Sequence, residues 1–335
     1  MANNKKSQQV EINTDLAMDI EQILNGGFAP LTTFLDKESL DSVLENMRLP
    51  TGEIWPIPIL FPKKNNEPIN SLDSLLLKFQ GHDFAVLDEP KTFEYDLDKL
   101  ITSFYGTNDE KHPGVQISRK SPHTFITGKL RGISKLNKIL NINYLEPQDV
   151  KNIIEEKHWK SIVGFHTRNP PHGAHEYMHK SVLKNHDALL LHPVIGSKKK
   201  GDFTSEAIMH SYELYTEKFL PSDRTILTPL LTYSRYAGPR EAIFTAIVRR
   251  NYGCTHFIIG RDHTGVKNFY GKYDSQKIFQ NFKDVDIEII PFSEPFYCKK
   301  SKTITTKEEC TYGDKYYVEV SGSKIRKAIK EKTEI

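Results

Sequence analysis

The rhythm of apolar and polar positions changes once along the chain, near residue 160. Before that point Pro and Gly cut the text into short β-type runs at 54–59, 84–87 and 123–127. They follow a first helical stretch that ends at Gly26-Gly27-Phe28-Ala29-Pro30-Leu31. This half, reaching to about Arg131, predicts a β-rich module with helical edges. Its first nine residues are polar and are expected to be mobile. From Ser161 a different unit recurs: strands are predicted at 161–165, 188–194, 225–231, 255–259 and 285–290, and helices at 173–184, 204–219 and 239–251, the last stopped by Gly253. Strands alternating with helices, without a hairpin signal between them, imply a Rossmann-like parallel sheet with covering helices, an α/β architecture. A helical Glu-Lys-rich connector over 145–160 places the expected division between a domain of residues 1–155 and one of residues 156–335.

Composition narrows the function classes. The 335 residues hold 46 basic and 43 acidic side chains, a formal charge of +3, which argues against coating a duplex or binding nucleic acid. The longest apolar runs, 54–61 and 188–191, fall far short of the roughly 20 residues that span a bilayer, so no membrane helix is expected. Lys5 and Lys6 precede no apolar segment, so no secretory signal is read. Cys254, Cys298 and Cys310 are too few and scattered for a disulfide framework, which makes a reducing, cytoplasmic compartment the expectation.

In a parallel sheet, ligands bind beyond the carboxyl ends of the strands, and three unusual loops fall there. The first, Phe165 through His175, holds Thr167, Arg168, Asn169, Pro170, Pro171 and His172 straight after a strand. The two prolines fix the chain ahead of the helix, and His172 and His175 share one face of its first turn. Imidazoles beside free backbone N–H groups suit a phosphate oxygen, and the fork of Arg168 suits a tetrahedral oxyanion. His172, His175 and His179 also read as surface histidines or a metal comb. The second loop, 236–242, is a Gly-Pro helix start, equally readable as a turn with a solvated Arg240-Glu241 pair. The third, 260–266, gathers Gly260, Arg261, Asp262, His263, Thr264 and Gly265 at a strand exit, where packing does not call for them. Ser321-Gly322-Ser323-Lys324-Ile325-Arg326 follows a strand predicted at 316–320, as a helix cap or a further phosphate site, and Lys198-Lys199-Lys200 reads as a solvated loop.

These motifs, in this order and spacing, with Gly26 to Leu31 and Phe34 near the start, resemble the ATP sulfurylase family over nearly the whole chain. The resemblance implies a PUA-like first domain, a Rossmann-like nucleotidylyltransferase domain, and the reaction of ATP with sulfate to give adenosine 5'-phosphosulfate and pyrophosphate. It further implies that Thr167, Arg168, Asn169, His172 and His175 are catalytic. ATP would be bound by His166, Thr167, Arg168, Asn169, Gly260, Arg261, Asp262, His263 and Pro295, with Phe292 in the same adenine-side loop. Sulfate would be held by Arg168 and the backbone at Thr264, Mg²⁺ would arrive with the nucleotide, and the chain would self-associate. The chain departs from the family at His166, where Gln is usual, at Thr264, where Ala is common, and at Ser323, where Thr is usual. The family's Cys-x-x-Cys zinc opening is matched by Cys298, but Ser301 replaces its second Cys and Cys310 lacks the nearby His, so no structural zinc is expected. Two other readings stay open: a nucleotidylyltransferase with another acceptor, and a non-catalytic relative that binds nucleotide or RNA.

Overall fold

The computed structural model describes residues 7–64, 69, 71–197, 201–261, 263–266, 268–320 and 322–333. The first half builds a five-stranded sheet from β1 (Ser7–Glu11), β2 (Phe61–Pro62), β3 (Ser74–Phe79), β4 (His82–Glu94) and β5 (Thr124–Gly132), in the order β1-β3-β4-β5-β2. β1 lies parallel to β3, Ser7 against Ser74, and the other pairs are antiparallel. Ser7, Gln8 and Gln9, expected to be mobile, are therefore ladder residues. Residues 54–59 do not form the expected strand. Pro56 and Pro58 have no N–H to give, so only an isolated bridge from Arg48 to Ile54 forms and the ladder starts at Phe61. Helix α1 (Thr14–Leu24), capped by the Asn13 side chain on the Leu16 N–H, packs beside this sheet.

The second half is a five-stranded, wholly parallel sheet of β6 (Ile162–Thr167), β7 (Ala188–Pro193), β8 (Thr225–Leu227), β9 (His256–Ile259) and β10 (Glu288–Pro291), in the order β10-β9-β6-β7-β8. Every residue of β7 is buried, as expected of a strand covered on both faces. Helix α2 (Pro147–Glu156) leads into it, and α3 (Gly173–Val182), α4 (Ser205–Phe219) and α5 (Pro239–Asn251) connect its strands. β8 stops at Leu227, short of the expected residue 231, although the Thr228 and Leu230 N–H groups still donate to the Leu191 and Pro193 carbonyls and an isolated bridge joins Val194 to Leu230. Strands run outward from β6 to β8 and then switch to β9 and β10 on its other side. That reversal opens a crevice between β6 and β9 at their carboxyl ends. A small antiparallel sheet of β11 (Phe296–Cys298), β12 (Thr303–Thr305) and β13 (Tyr317–Glu319), which the sequence reading did not anticipate as a unit, precedes α6 (Gly322–Glu331). Among the described residues no helix is long and apolar enough to cross a membrane.

One apolar core runs through both halves. Phe28 meets Phe244 of α5 at 5.0 Å between ring centroids, and Trp55 meets the same ring at 5.6 Å. Asn251 donates to the carbonyls of Gly27 and Ala29, at 3.0 and 2.8 Å. Beside them Asp19 of α1 forms an ion pair with Arg235, both nearly fully buried, and Tyr233 donates to Asp19 Oδ2 at 3.0 Å. Burial works against the charge on Arg235, yet the Asp19 carboxylate holds it protonated. Asp19→Asn should therefore cost about 3–5 kcal/mol, since it strands a buried guanidinium, while Asp19→Leu combined with Arg235→Met should regain most of that loss. Denaturation midpoints of the two variants check the pair.

Candidate active site

The crevice is built by strand exits and helix starts. β6 brings His166 and Thr167 to its edge, and the chain turns through Arg168, Asn169 and the two prolines into α3. β9 ends at Ile259 and releases Gly260 and Arg261 across the gap. Both α3 and α5 begin there without a side-chain cap, on His172 and Gly238, whereas Asn13 and Thr204 cap the distant α1 and α4. The first N–H groups of α3, and those that follow Pro239 in α5, carry no side-chain cap and sit at the positive end of each helix.

A cavity of about 310 Å³ lies between these elements. His166, Thr167, Arg168, Asn169 and His175 line it from β6 and α3; Arg261, His263, Thr264 and Gly265 line it from β9. Ser234, Tyr236 and Glu241 come from the turn into α5, and Gly322 and Arg326 from α6. Four motifs far apart in sequence thus meet at one point. His172 is not in the lining, but its ring stacks on that of His175, 3.7 Å between centroids. A side chain at Gly260 would project into open space, so backbone alone faces outward there. Pro295 is buried beside the cavity rather than in it, next to Glu294, which pairs with Arg261 at 3.0 Å. Asp262, Ser321 and Lys198 to Lys200 lie outside the described residues.

The cations of the cavity differ in what they hold. Arg326 donates to Asn169 Oδ1 at 2.7 Å and approaches Asp202 at 3.9 Å. Arg168 makes no hydrogen bond or ion pair among the described residues, so its fork is free for an anion. Imidazoles surround it in neutral form. Burial lowers His263 to about 3 and His172 to about 4, and puts His166 and His175 well below the ordinary value. His263 Nε2 lies 3.0 Å from Thr245 Oγ1, which fixes the ring. Thr264 and Tyr236 both adopt left-handed backbone, φ 56° and 61°. For the β-branched Thr264 that conformation is strained, and its hydroxyl donates to Gly238 O at 2.8 Å, tying the β9 loop to the start of α5.

Ser234, Tyr236, Glu241, Gly265, Gly322 and Arg326 line the cavity without having been named as site residues. Glu241 is buried, its carboxyl raised by desolvation, and accepts from the Arg235 and Ala237 N–H groups at 2.8 and 3.1 Å. It shapes the turn into α5 rather than pairing with Arg240, which reaches the Val43, Leu44 and Pro56 carbonyls of the first half. Arg326, which the sequence offered with Lys324 as a cation for a further phosphate, lies in the lining. Gly322 explains the glycine of the 321–326 motif, since a Cβ there would fall 2.9 Å from Asn169 Cγ. The lone described carboxylate in the lining is engaged by backbone, so these residues do not fit a resident Mg²⁺, which takes several oxygen ligands. At the small sheet, Cys298 and Cys310 bring their sulfurs within 3.6 Å. No group of three or more His, Cys, Asp or Glu suited to a metal occurs among the described residues.

A PUA-like domain family matches residues 1–135, and the ATP-sulfurylase family matches residues 142–335. The sulfate adenylyltransferase of Trichormus variabilis is 38% identical over 328 residues, 96% of this chain and 84% of that protein. That of Pyrococcus abyssi is 37% identical over 321 residues, with the same coverage. In fold, the chain superposes with a TM-score of 0.75 on a solved hexameric APS kinase from Thiobacillus denitrificans, at 19% identity, spanning all of this chain and 60% of that one. With near full-length likeness to sulfate adenylyltransferases, and with the motifs of two strand exits and two helix starts gathered around one cationic crevice, the chain belongs to the ATP-sulfurylase family.

Proposed function

We propose that the chain transfers the adenylyl group of ATP to sulfate. A sulfate oxygen attacks the α-phosphorus in line, the bond from that phosphorus to its bridging oxygen breaks, and the electron pair leaves on pyrophosphate. Adenosine 5'-phosphosulfate is the other product. Sulfate is a weak nucleophile and both reactants are anions, so the need is for positioning and preorganised positive charge rather than a side-chain nucleophile. Arg168 grips sulfate with its bidentate fork, helped by the backbone at Thr264. The α3 N-terminus with His172 and His175, both neutral and able to donate without proton transfer, takes the oxygens of the α- and β-phosphates where charge builds. Thr167 and Asn169 shape that turn, Asn169 being held by Arg326, while His166, His263, Arg261 and the Gly260 backbone face the nucleotide; Asp262 and Pro295 are carried over as nucleotide contacts from the family likeness alone. Mg²⁺ belongs to the substrate in this reading, chelated by the phosphates.

The observation that supports the reading most is the guanidinium of Arg168, without a hydrogen bond or ion pair among the described residues, lining a cavity beside two uncapped helix starts at the switch point of the sheet. Molybdate tests it. Molybdate replaces sulfate but forms an adenylate that hydrolyses at once, so pyrophosphate release from ATP should depend on it; no such dependence would remove the proposal. His172→Asn should lower kcat roughly 10–100-fold with a smaller change in the Kd of ATP, because the imidazole serves charge that develops in the transition state. Single-turnover rates beside equilibrium nucleotide binding separate the two.

A further inference from the structure

Behind the crevice lies a charge that the proposed mechanism does not use. Arg249 of α5 is 0% exposed. Its Nη1 and Nη2 donate to the carbonyls of Thr245 and His192, at 3.4 and 3.2 Å, and its Nε has no partner. Its Cζ sits 5.6 Å from the Phe257 ring centroid. No carboxylate comes within ion-pair distance among the described residues. A buried guanidinium without a counter-ion is costly, and a methionine would fill the same slot. The sheet nevertheless makes room for it: a Cβ on Gly164 of β6 would fall 2.6 Å from Arg249 Cγ.

The position supplies the reason. Arg249 lies under β6, two residues before His166, and one helical turn after Thr245, whose hydroxyl meets His263. His166 and His263 both line the cavity. We propose that Arg249 is the buried positioning charge of the anion site, held without a protein counter-ion because the bound phosphate chain is its counter-ion. The field of an uncompensated cation in a low-dielectric core reaches across one strand, whereas a surface cation would be screened. Its neighbours are arranged accordingly. Burial first, and Arg249 second, keep His263 and His192 neutral; His166 feels Arg249 together with His263, His192 and Arg168. Cys254 and Tyr252 are the remaining titratable groups beside it, both raised by burial and so uncharged. Burial brings Arg249 itself down to about 9, so it remains protonated at neutral pH.

The inference rests on the adenylyl-transfer reading for the identity of its anion. Pyrophosphate binding by the intact chain, measured calorimetrically from pH 7 to 9, tests it with Arg249→Met and Arg249→Lys. The methionine variant should melt no lower than wild type, having lost an unpaired buried charge, and should bind pyrophosphate about tenfold more weakly. The lysine variant should bind a few-fold more weakly than wild type at pH 7 and fall to the level of the methionine variant by about pH 8, because a buried ammonium loses its proton at lower pH than a guanidinium. A packing role predicts no such pH-dependent ratio, so the lysine variant decides even if the methionine variant fails to fold. Wild-type affinity in a folded Arg249→Met, or a constant ratio for Arg249→Lys, overturns the inference and leaves the sulfate reading intact. Conversely, pyrophosphate binding that follows this pattern without molybdate-dependent release removes the sulfate reading and leaves the charge inference standing.

Discussion

Arg168→Ala loses sulfate-dependent turnover, by at least about 10²–10³-fold in kcat/KM, while its melting temperature stays within a degree or two of wild type. Both halves of this expectation come from the same fact. The guanidinium makes no hydrogen bond or ion pair among the described residues, so its removal breaks no bond that holds the fold; a partly exposed side chain of that kind is worth within about 0.5 kcal/mol. In the reaction the same freedom makes it the group with the most to do. It binds sulfate in the ground state and supports the oxygen that attacks, and loss of one preorganised donor at such a position removes about 3–4 kcal/mol of transition-state stabilisation. The neighbouring cations cannot substitute, since Arg261 is committed to Glu294 and Arg326 to Asn169. Initial-rate kinetics with sulfate and with molybdate, alongside thermal melts, give both quantities. An Arg168→Ala protein of normal activity would falsify the assignment; one that fails to fold would show that the residue is structural.

How far the sequence led is visible element by element. The parallel sheet was legible because each strand of the second half is a short apolar run bounded by turn residues, and each crossover helix has its own start and stop. The crevice was legible for a related reason, as Arg, His and Gly clustered at strand exits have no packing use. Where the reading failed, long-range pairing or missing donors decided. β1 is a polar five-residue stretch whose ladder exists only because β3 lies beside it, sixty-odd residues away. Residues 54–59 have the composition of a strand and lack its hydrogen bonds, since prolines recur in them. The β11–β13 sheet consists of three-residue strands, too short to show a period. Glu241 read as half of a solvated pair with Arg240, and Arg249 carried no signal of its own; nothing local says that α5 is buried nearly all round, which depends on both halves closing over it.

That burial also sets how the protein responds to acid, and melting temperature should fall steeply between pH 7.5 and pH 5. His179 is fully buried, its Nδ1 2.9 Å from the Tyr215 hydroxyl, and desolvation lowers it from 6.5 to about 3. In the unfolded chain the same imidazole takes up a proton near its ordinary value. Below pH 6.5 the unfolded state therefore binds a proton that the native state refuses, and stability declines as pH falls. At pH 5 this amounts to about 2 kcal/mol for this one group. His192, His175 and His166 shift in the same direction for the same cause, as do His263 and His172, so the losses accumulate over one pH interval. Lowered carboxylates such as Asp187, held by the Lys160 and Ser161 N–H groups, add a further loss below the carboxylate range. Opposing terms come from Glu21 and Glu241, whose folded values are raised by burial, and which lend stability that is present at low pH and lost on raising it. Their ordinary values lie near 4, so their contribution varies mainly above that point and offsets part of the histidine loss. The number of buried imidazoles decides the sign. His179→Leu, one helical turn behind the cavity-lining His175 and outside the lining itself, isolates the effect: it should flatten the decline between pH 7.5 and 5 by about 2 kcal/mol, whatever it does to stability at pH 7.5. A variant whose pH dependence runs parallel to that of wild type would mean that His179 is protonated in the folded protein, contrary to its burial.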